Sequence, residues 1–99
     1  MWYAIIATDQ PGTLEQRLAH RPPHVERLHV LRAEGRLLLA GPFPAIDSED
    51  PGPAGFSGSL IVAEFTDLAA ARDWADKDPF VAAGVYHSVE VKPFRKTLP

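Results

Sequence analysis

Ser59-Leu60-Ile61-Val62-Ala63-Glu64-Phe65-Thr66-Asp67-Leu68-Ala69-Ala70-Ala71-Arg72-Asp73-Trp74-Ala75 changes its hydrophobic period in the middle. Up to Phe65 the residues are almost continuously apolar over a strand's length, as expected of a buried strand. Beyond Thr66 and Asp67, either of which can cap a helix, Leu68, Ala71, Trp74 and Ala75 recur at helical spacing. Asp78-Pro79 breaks that helix, and Phe80 to Gly84 makes a short turn or helical stub. A last strand runs from Val85 to Phe94. Its alternation puts Val85, His87, Val89 and Val91 on one face and Tyr86, Ser88, Glu90 and Lys92 on the other.

The first half repeats this plan. Trp2 to Ala7 is an apolar, strand-favouring run that stops at a turn around Pro11-Gly12. Thr13 to Ala19 can form a short helix, with Thr13 as its cap. Pro22 and Pro23 lack a backbone N–H, so the spacing predicts a new helix starting near them, with His24 in its first turn. Val25, Leu28 and Leu31 form its core face, and Gly35 stops it. Leu37 to Ala40 is the second strand, ended by Gly41-Pro42. Phe43 to Gly58 is a Pro-, Gly- and acid-rich loop, long enough to reach over a site or a subunit boundary.

The order β-α-β-β-α-β predicts a single α+β domain over residues 1–99: a ferredoxin-like, four-stranded antiparallel sheet with both helices on one face. Strands one to three are too apolar for the other sheet face to stand in water, and no segment is left to cover it. A second copy of the chain can, which predicts a homodimer with two sheets face to face.

Composition narrows the function. Apolar residues are 45% of the chain and the net charge is −3, which gives no support to a nucleic-acid partner. Arg17, Arg21, Arg27, Arg32 and Arg36 interleave with acidic residues and read as a mostly solvated surface. There is no cysteine, so disulfides, thiolate nucleophiles and cysteine-held zinc are excluded. The N-terminus lacks the pattern of a signal peptide, and no apolar run is long enough to span a bilayer. The expectation is a cytoplasmic protein with no membrane partner.

Among the residues that could carry chemistry, His24 stands out. In a first turn the helix dipole would favour its neutral form, which can act as base or nucleophile. It would need a partner for its other ring nitrogen, and Asp78, where the chain turns after the second helix, is the candidate. Asp78 can equally be the cap of the stub that follows it. His20 and His24 are four apart, but the intervening prolines break the helix face and no metalloprotease pattern surrounds them, so no metal site is expected. His29 falls off the core face, and His87 reads as a structural strand residue. Gly41, Gly52, Gly55 and Gly58 form turns and loops rather than a phosphate-binding loop, and no serine nucleophile elbow is present.

Arg21-Pro22-Pro23-His24, Glu34-Gly35-Arg36-Leu37-Leu38, Ala40-Gly41-Pro42, Asp50-Pro51-Gly52, Gly55-Phe56-Ser57-Gly58-Ser59, Trp74-Ala75-Asp76, Asp78 through Val85 and Val91-Lys92-Pro93-Phe94 together resemble the YciI family, in order and spacing, along the whole chain. The resemblance implies a dimeric α+β barrel and a site built on a histidine and an aspartate, here His24 and Asp78. Arg36, Gly41, Ser59 and Phe80 fall in matching segments and are candidate pocket residues. It also implies kinship with muconolactone isomerases and with a YciI-like dehydrochlorinase of a chlorinated hydroxyquinol, which share acid–base work on small oxygenated rings.

The leading expectation is therefore an enzyme in which His24 shuttles a proton on a small polar or aromatic molecule and Asp78 holds its tautomer. Isomerisation or elimination suits such a pair and needs no cofactor. A variant uses His24 as a nucleophile or phospho-acceptor, with the helix N-terminus holding the anion. The alternative is a non-catalytic dimer that binds a small metabolite or another protein.

Overall fold

The computed structural model describes residues 1–99. The chain runs β1 (Trp2–Asp9), α1 (Leu14–Ala33), β2 (Leu37–Pro44), a 3-10 turn (Gly52–Ala54), β3 (Phe56–Glu64), α2 (Leu68–Asp76), α3 (Pro79–Ala82) and β4 (Tyr86–Phe94). The strands form one sheet in the order β2-β3-β1-β4, every neighbouring pair antiparallel. This is the ferredoxin-like β-α-β-β-α-β arrangement. Its core lies between sheet and helices. Tyr3, Ile5, Ile61, Ala63 and Phe65 meet Leu31 of α1 and Ala71 and Ala75 of α2, with Leu68 and Trp74 packed at the margin. Asp67 caps α2, its carboxylate accepting from the Ala70 N–H at 2.8 Å.

The expected break in the first helix is absent. α1 is one helix with Pro22 and Pro23 inside it. Each proline deprives the carbonyl four residues earlier of its donor, at a cost of about 3 kcal/mol or more. Both prolines are exposed, as are Leu18 and Ala19, so water can reach those carbonyls. What keeps the two halves in phase is a buried stripe spanning the break: Arg17, His24 and Leu31 are spaced seven apart, two turns each, and all three are buried. Burying a side chain like Leu31 contributes about 1.5–3 kcal/mol. Arg17 and His24 anchor the same stripe through their hydrogen bonds to Asp9 and Asp78.

Three further boundaries differ from expectation. β2 continues through Gly41 and Pro42 to Pro44 because it is an edge strand, where a missing N–H can face solvent. β3 begins at Phe56, so the connecting loop is shorter and Gly58 lies inside the sheet, opposite Thr8 and Phe43. Gly58 is there for space: a Cβ would run into the Ala7 carbonyl oxygen. Finally, the β1–β4 register shifts between Thr8, which faces Ser88, and Asp9, which faces Tyr86. His87 is the extra residue of this bulge and is exposed. The shift breaks the expected alternation and turns Tyr86 toward the helices, where its ring packs edge-on against Phe80 at 5.5 Å.

Candidate active site

The Asp78-Pro79 junction builds half of the site. Pro79 starts α3 with its φ already set, and Asp78 is the cap, its Oδ1 accepting from the Phe80 N–H at 2.9 Å. α3 packs against α1, which brings the carboxylate to His24. Nδ1 of His24 lies 2.9 Å from Asp78 Oδ1 and 2.8 Å from Oδ2. Capping and partnering the histidine are thus one role, performed by one carboxylate. Both side chains are buried. A carboxylate at Nδ1 fixes the neutral ring as the Nδ1–H tautomer and leaves the Nε2 lone pair free. Phe80 stacks on the imidazole at 4.1 Å between centroids and 14° between planes, holding its orientation. Arg27, one turn on from His24, stacks on Trp74 at 4.2 Å and donates to the Trp74 carbonyl. Burial pushes its pKa down, while the charge of Asp78 opposes that shift.

His24 lies in the middle of α1, not in a first turn, so the N-terminus of α1 neither acts on its ring nor holds an anion beside it.

That cleft, about 270 Å³, lies between α1 and the β2–β3 edge of the sheet. His24, Ser59, Leu28 and Ile61 form its interior, Ala40, Gly41 and Pro42 its wall, and Arg21, His29 and Arg32 line it from α1. No carboxylate lines it. Of the pocket residues expected from sequence, Ser59 and Gly41 do line the cleft. Phe80 is fully buried and lies behind His24, supporting the ring rather than touching the cleft. Arg36 is not brought to the site. It donates to the Glu64 carbonyl and to Glu34, and lines a separate cavity with Met1 and Phe65.

Arg17 corrects the reading of the arginines as a solvated surface. It is 6% exposed and is the centre of a buried polar cluster. Its Nε donates to Asp9 Oδ2 at 2.8 Å. Its Nη2 donates to Asp9 Oδ1 at 3.1 Å, to the Gly58 carbonyl at 3.1 Å and to Ser59 Oγ at 2.8 Å. The guanidinium carbon lies 5.4 Å from the Phe56 ring centroid and 4.9 Å from that of Phe80. The same Phe80 therefore supports both His24 and Arg17. Two sequence signals pointed this way: Asp9 continues the inward alternation Tyr3, Ile5, Ala7, and Arg17 is two helical turns before His24.

The sheet is ferredoxin-like, and the histidine of its buried histidine–aspartate pair lines a small basic cleft. Among solved structures the chain is similar to the 5-chloro-2-hydroxyhydroquinone dehydrochlorinase of Burkholderia phenoliruptrix AC1100, in complex with 2,5-dihydroxybenzoquinone (TM-score 0.83, 23% identity, 96% of this chain and 94% of that one). It is also similar, in fold alone, to an antibiotic biosynthesis monooxygenase (TM-score 0.50, 19% identity, all of both chains). These neighbours are α+β barrel proteins of the same topology.

Residues 1–95 match the YCII-related domain, and the chain belongs to that family. It is 60% identical to Protein YciI of Escherichia coli O6:H1 over 98 residues, which are 99% of this chain and 100% of that one.

Proposed function

We propose that this protein is an acid–base enzyme acting on a small oxygenated molecule, with His24 as the proton carrier and Asp78 as its orienting partner. The observation that carries the reading is the 2.8 Å contact between Nδ1 and Asp78 in a histidine that lines a cleft. In an isomerisation, Nε2 takes a proton from a carbon next to a carbonyl and the C–H electron pair moves toward the carbonyl oxygen. The proton then returns to another carbon. In an elimination the same pair forms a C=C bond and the leaving group departs with its own bonding electrons. In both, Asp78 stabilises the imidazolium while it exists. Neither path needs a cofactor. The basic lining favours an electron-rich, oxygen-bearing substrate. The dehydrochlorinase in the same fold class handles a hydroxylated ring, which supports the same choice.

The working unit of this reading is a homodimer. By register, Ala4, Ile6, Leu60 and Val62 lie on the helix-free sheet face, with Leu39 on edge strand β2 opposite Val62. A second sheet is the natural cover for such a surface.

The test uses a panel of small enolisable ketones, lactones and halogenated hydroxyquinols in D2O, followed by proton NMR. Wild type should exchange or eliminate the activated proton of at least one compound. His24→Gln should slow that by about 10²–10⁴-fold, the usual contribution of a general base. Asp78→Asn keeps a good helix cap while removing the charge, and should slow it too. Equal rates in wild type and His24→Gln would sink the proposal in favour of a binding role.

A further inference from the structure

We propose that Ser59 binds the substrate oxygen that becomes negative, and that Arg17 orients and polarises its hydroxyl, so that the cleft selects an enolate- or phenolate-forming ligand. The inference rests on the acid–base reading of His24 and names the substrate class for that site.

A serine hydroxyl has one proton to donate and two lone pairs to accept with. Arg17 Nη2 donates to Ser59 Oγ at 2.8 Å, and since a guanidinium only donates, one lone pair is filled. The Tyr86 hydroxyl is buried with no partner at bonding geometry. The polar groups around it are Ser59, Asp78, Arg17 and Asp9. Both oxygens of Asp78 face His24, and those of Asp9 hold Arg17. Arg17 cannot accept. No hydrogen bond joins Tyr86 to Ser59, whose Oγ accepts from Arg17 alone. Oγ donates to no protein acceptor, so the Ser59 proton, held away from the guanidinium, is open to the cleft that Ser59 lines together with His24.

The floor then presents two complementary groups: an acceptor, His24 Nε2, and a donor, Ser59 O–H. A carbonyl compound bound with its oxygen on Ser59 and its adjacent C–H on His24 meets both. As the proton moves to Nε2, the electron pair moves to oxygen, and the growing charge falls on a hydroxyl polarised by a buried guanidinium. Donors fixed in advance around a developing oxyanion are among the strongest contributors to catalysis. Asp9 has a positioning role, holding Arg17 through two hydrogen bonds from outside the cleft.

The probe is 4-nitrophenol, whose colour reports its ionisation, with 4-nitroanisole as a control of similar shape that has no acidic oxygen. Wild type should bind the phenolate in preference to the phenol, seen as a lowered pKa of the bound probe. Ser59→Ala should weaken phenolate binding by about 10-fold or more, the scale of a charge-assisted hydrogen bond, and raise the bound probe's pKa. It should leave 4-nitroanisole binding unchanged, which a merely damaged cleft would not. Ser59→Thr, which keeps the hydroxyl, should restore phenolate binding. Wild-type preference for phenolate that survives intact in Ser59→Ala would overturn the inference and leave the role of His24 standing. Failure of wild type to bind the phenolate at millimolar concentration would overturn it too, and the exchange experiment would then judge His24 independently.

Discussion

Tyr86 carries a hydroxyl that folding removes from water. Its pKa is raised above the ordinary 10.0, chiefly by burial, with the neighbouring Ser59 hydroxyl opposing and Asp78 and Asp9 reinforcing the shift. A phenol whose folded pKa is raised stays protonated after the unfolded chain has ionised. The folded state then binds more protons, so stability falls with rising pH. The contribution is whole below about pH 10, the ordinary tyrosine pKa, and is lost progressively above it. Tyr86→Phe keeps the ring against Phe80 and removes the titration. Its urea midpoints, measured from neutral pH upward, should fall less steeply above about pH 10 than those of wild type. Parallel curves would mean that the Tyr86 hydroxyl is hydrated in solution. At this scale the sequence was partly legible. His24 and Asp78 stood out because a histidine beside two prolines and an aspartate before one are places where chain geometry is constrained. Arg17 did not, because a basic residue near a helix start usually faces water. Its burial depends on Asp9, which reaches it only through the fold. Tyr86 was assigned to the wrong face because one bulge residue inverts a strand's alternation, and no local signal at His87 announced it.

Among the elements, α1 is where local rules and the whole fold disagree. Pro22 and Pro23 argued for two helices, and the buried stripe of Arg17, His24 and Leu31 made one. Propensity is decided residue by residue, whereas the stripe is rewarded only once the sheet is in place, so the sequence showed the break and not its repair. The stored cost is testable. The double replacement Pro22→Ala and Pro23→Ala restores two backbone donors on an exposed surface. It should raise the unfolding free energy by about 3 kcal/mol or more, measured by urea titration at fixed protein concentration. An unchanged or lower value would show that the two prolines carry no net cost in this helix. The second half was easier to read, because its punctuation agrees with its packing: Asp67 caps α2, and Asp78-Pro79 ends one helix and starts the next. The extended β2 escaped notice because Gly41-Pro42 reads as a stop everywhere except on a sheet edge.

For the molecule as a whole, the two faces of the sheet are unequal. The helix side is sealed by α1 and α2. The other side is formed by register from Ile6 opposite Leu60 and Ala4 opposite Val62, with Leu39 beside Val62 and Phe43 beside Gly58. Leu39 and Phe43 are 47% and 39% exposed in the single chain, so the apolar surface continues to the sheet edge. Polar side chains flank it: Glu90 and Lys92 on β4 stand opposite Ile6 and Ala4, Glu64 stands opposite Trp2, and Thr8 opposite Ser88. A face with an apolar centre and a charged flank matches the pattern of protein interfaces, with a dry middle and a wet rim. If two copies close over this face, light scattering should return twice the chain mass at micromolar concentration. Leu60→Glu places a charge at the centre of the face, opposite Ile6 and Gly41, and away from the helix-side core. It should give a monomer that is less stable than wild type, since the unfolding midpoint of a dimer includes its association energy and rises with protein concentration. Glu90→Gln, on the flank, should remain a dimer. A wild-type monomer at micromolar concentration would remove the second sheet from the proposal. The contact between His24 and Asp78, made within one chain, would still stand.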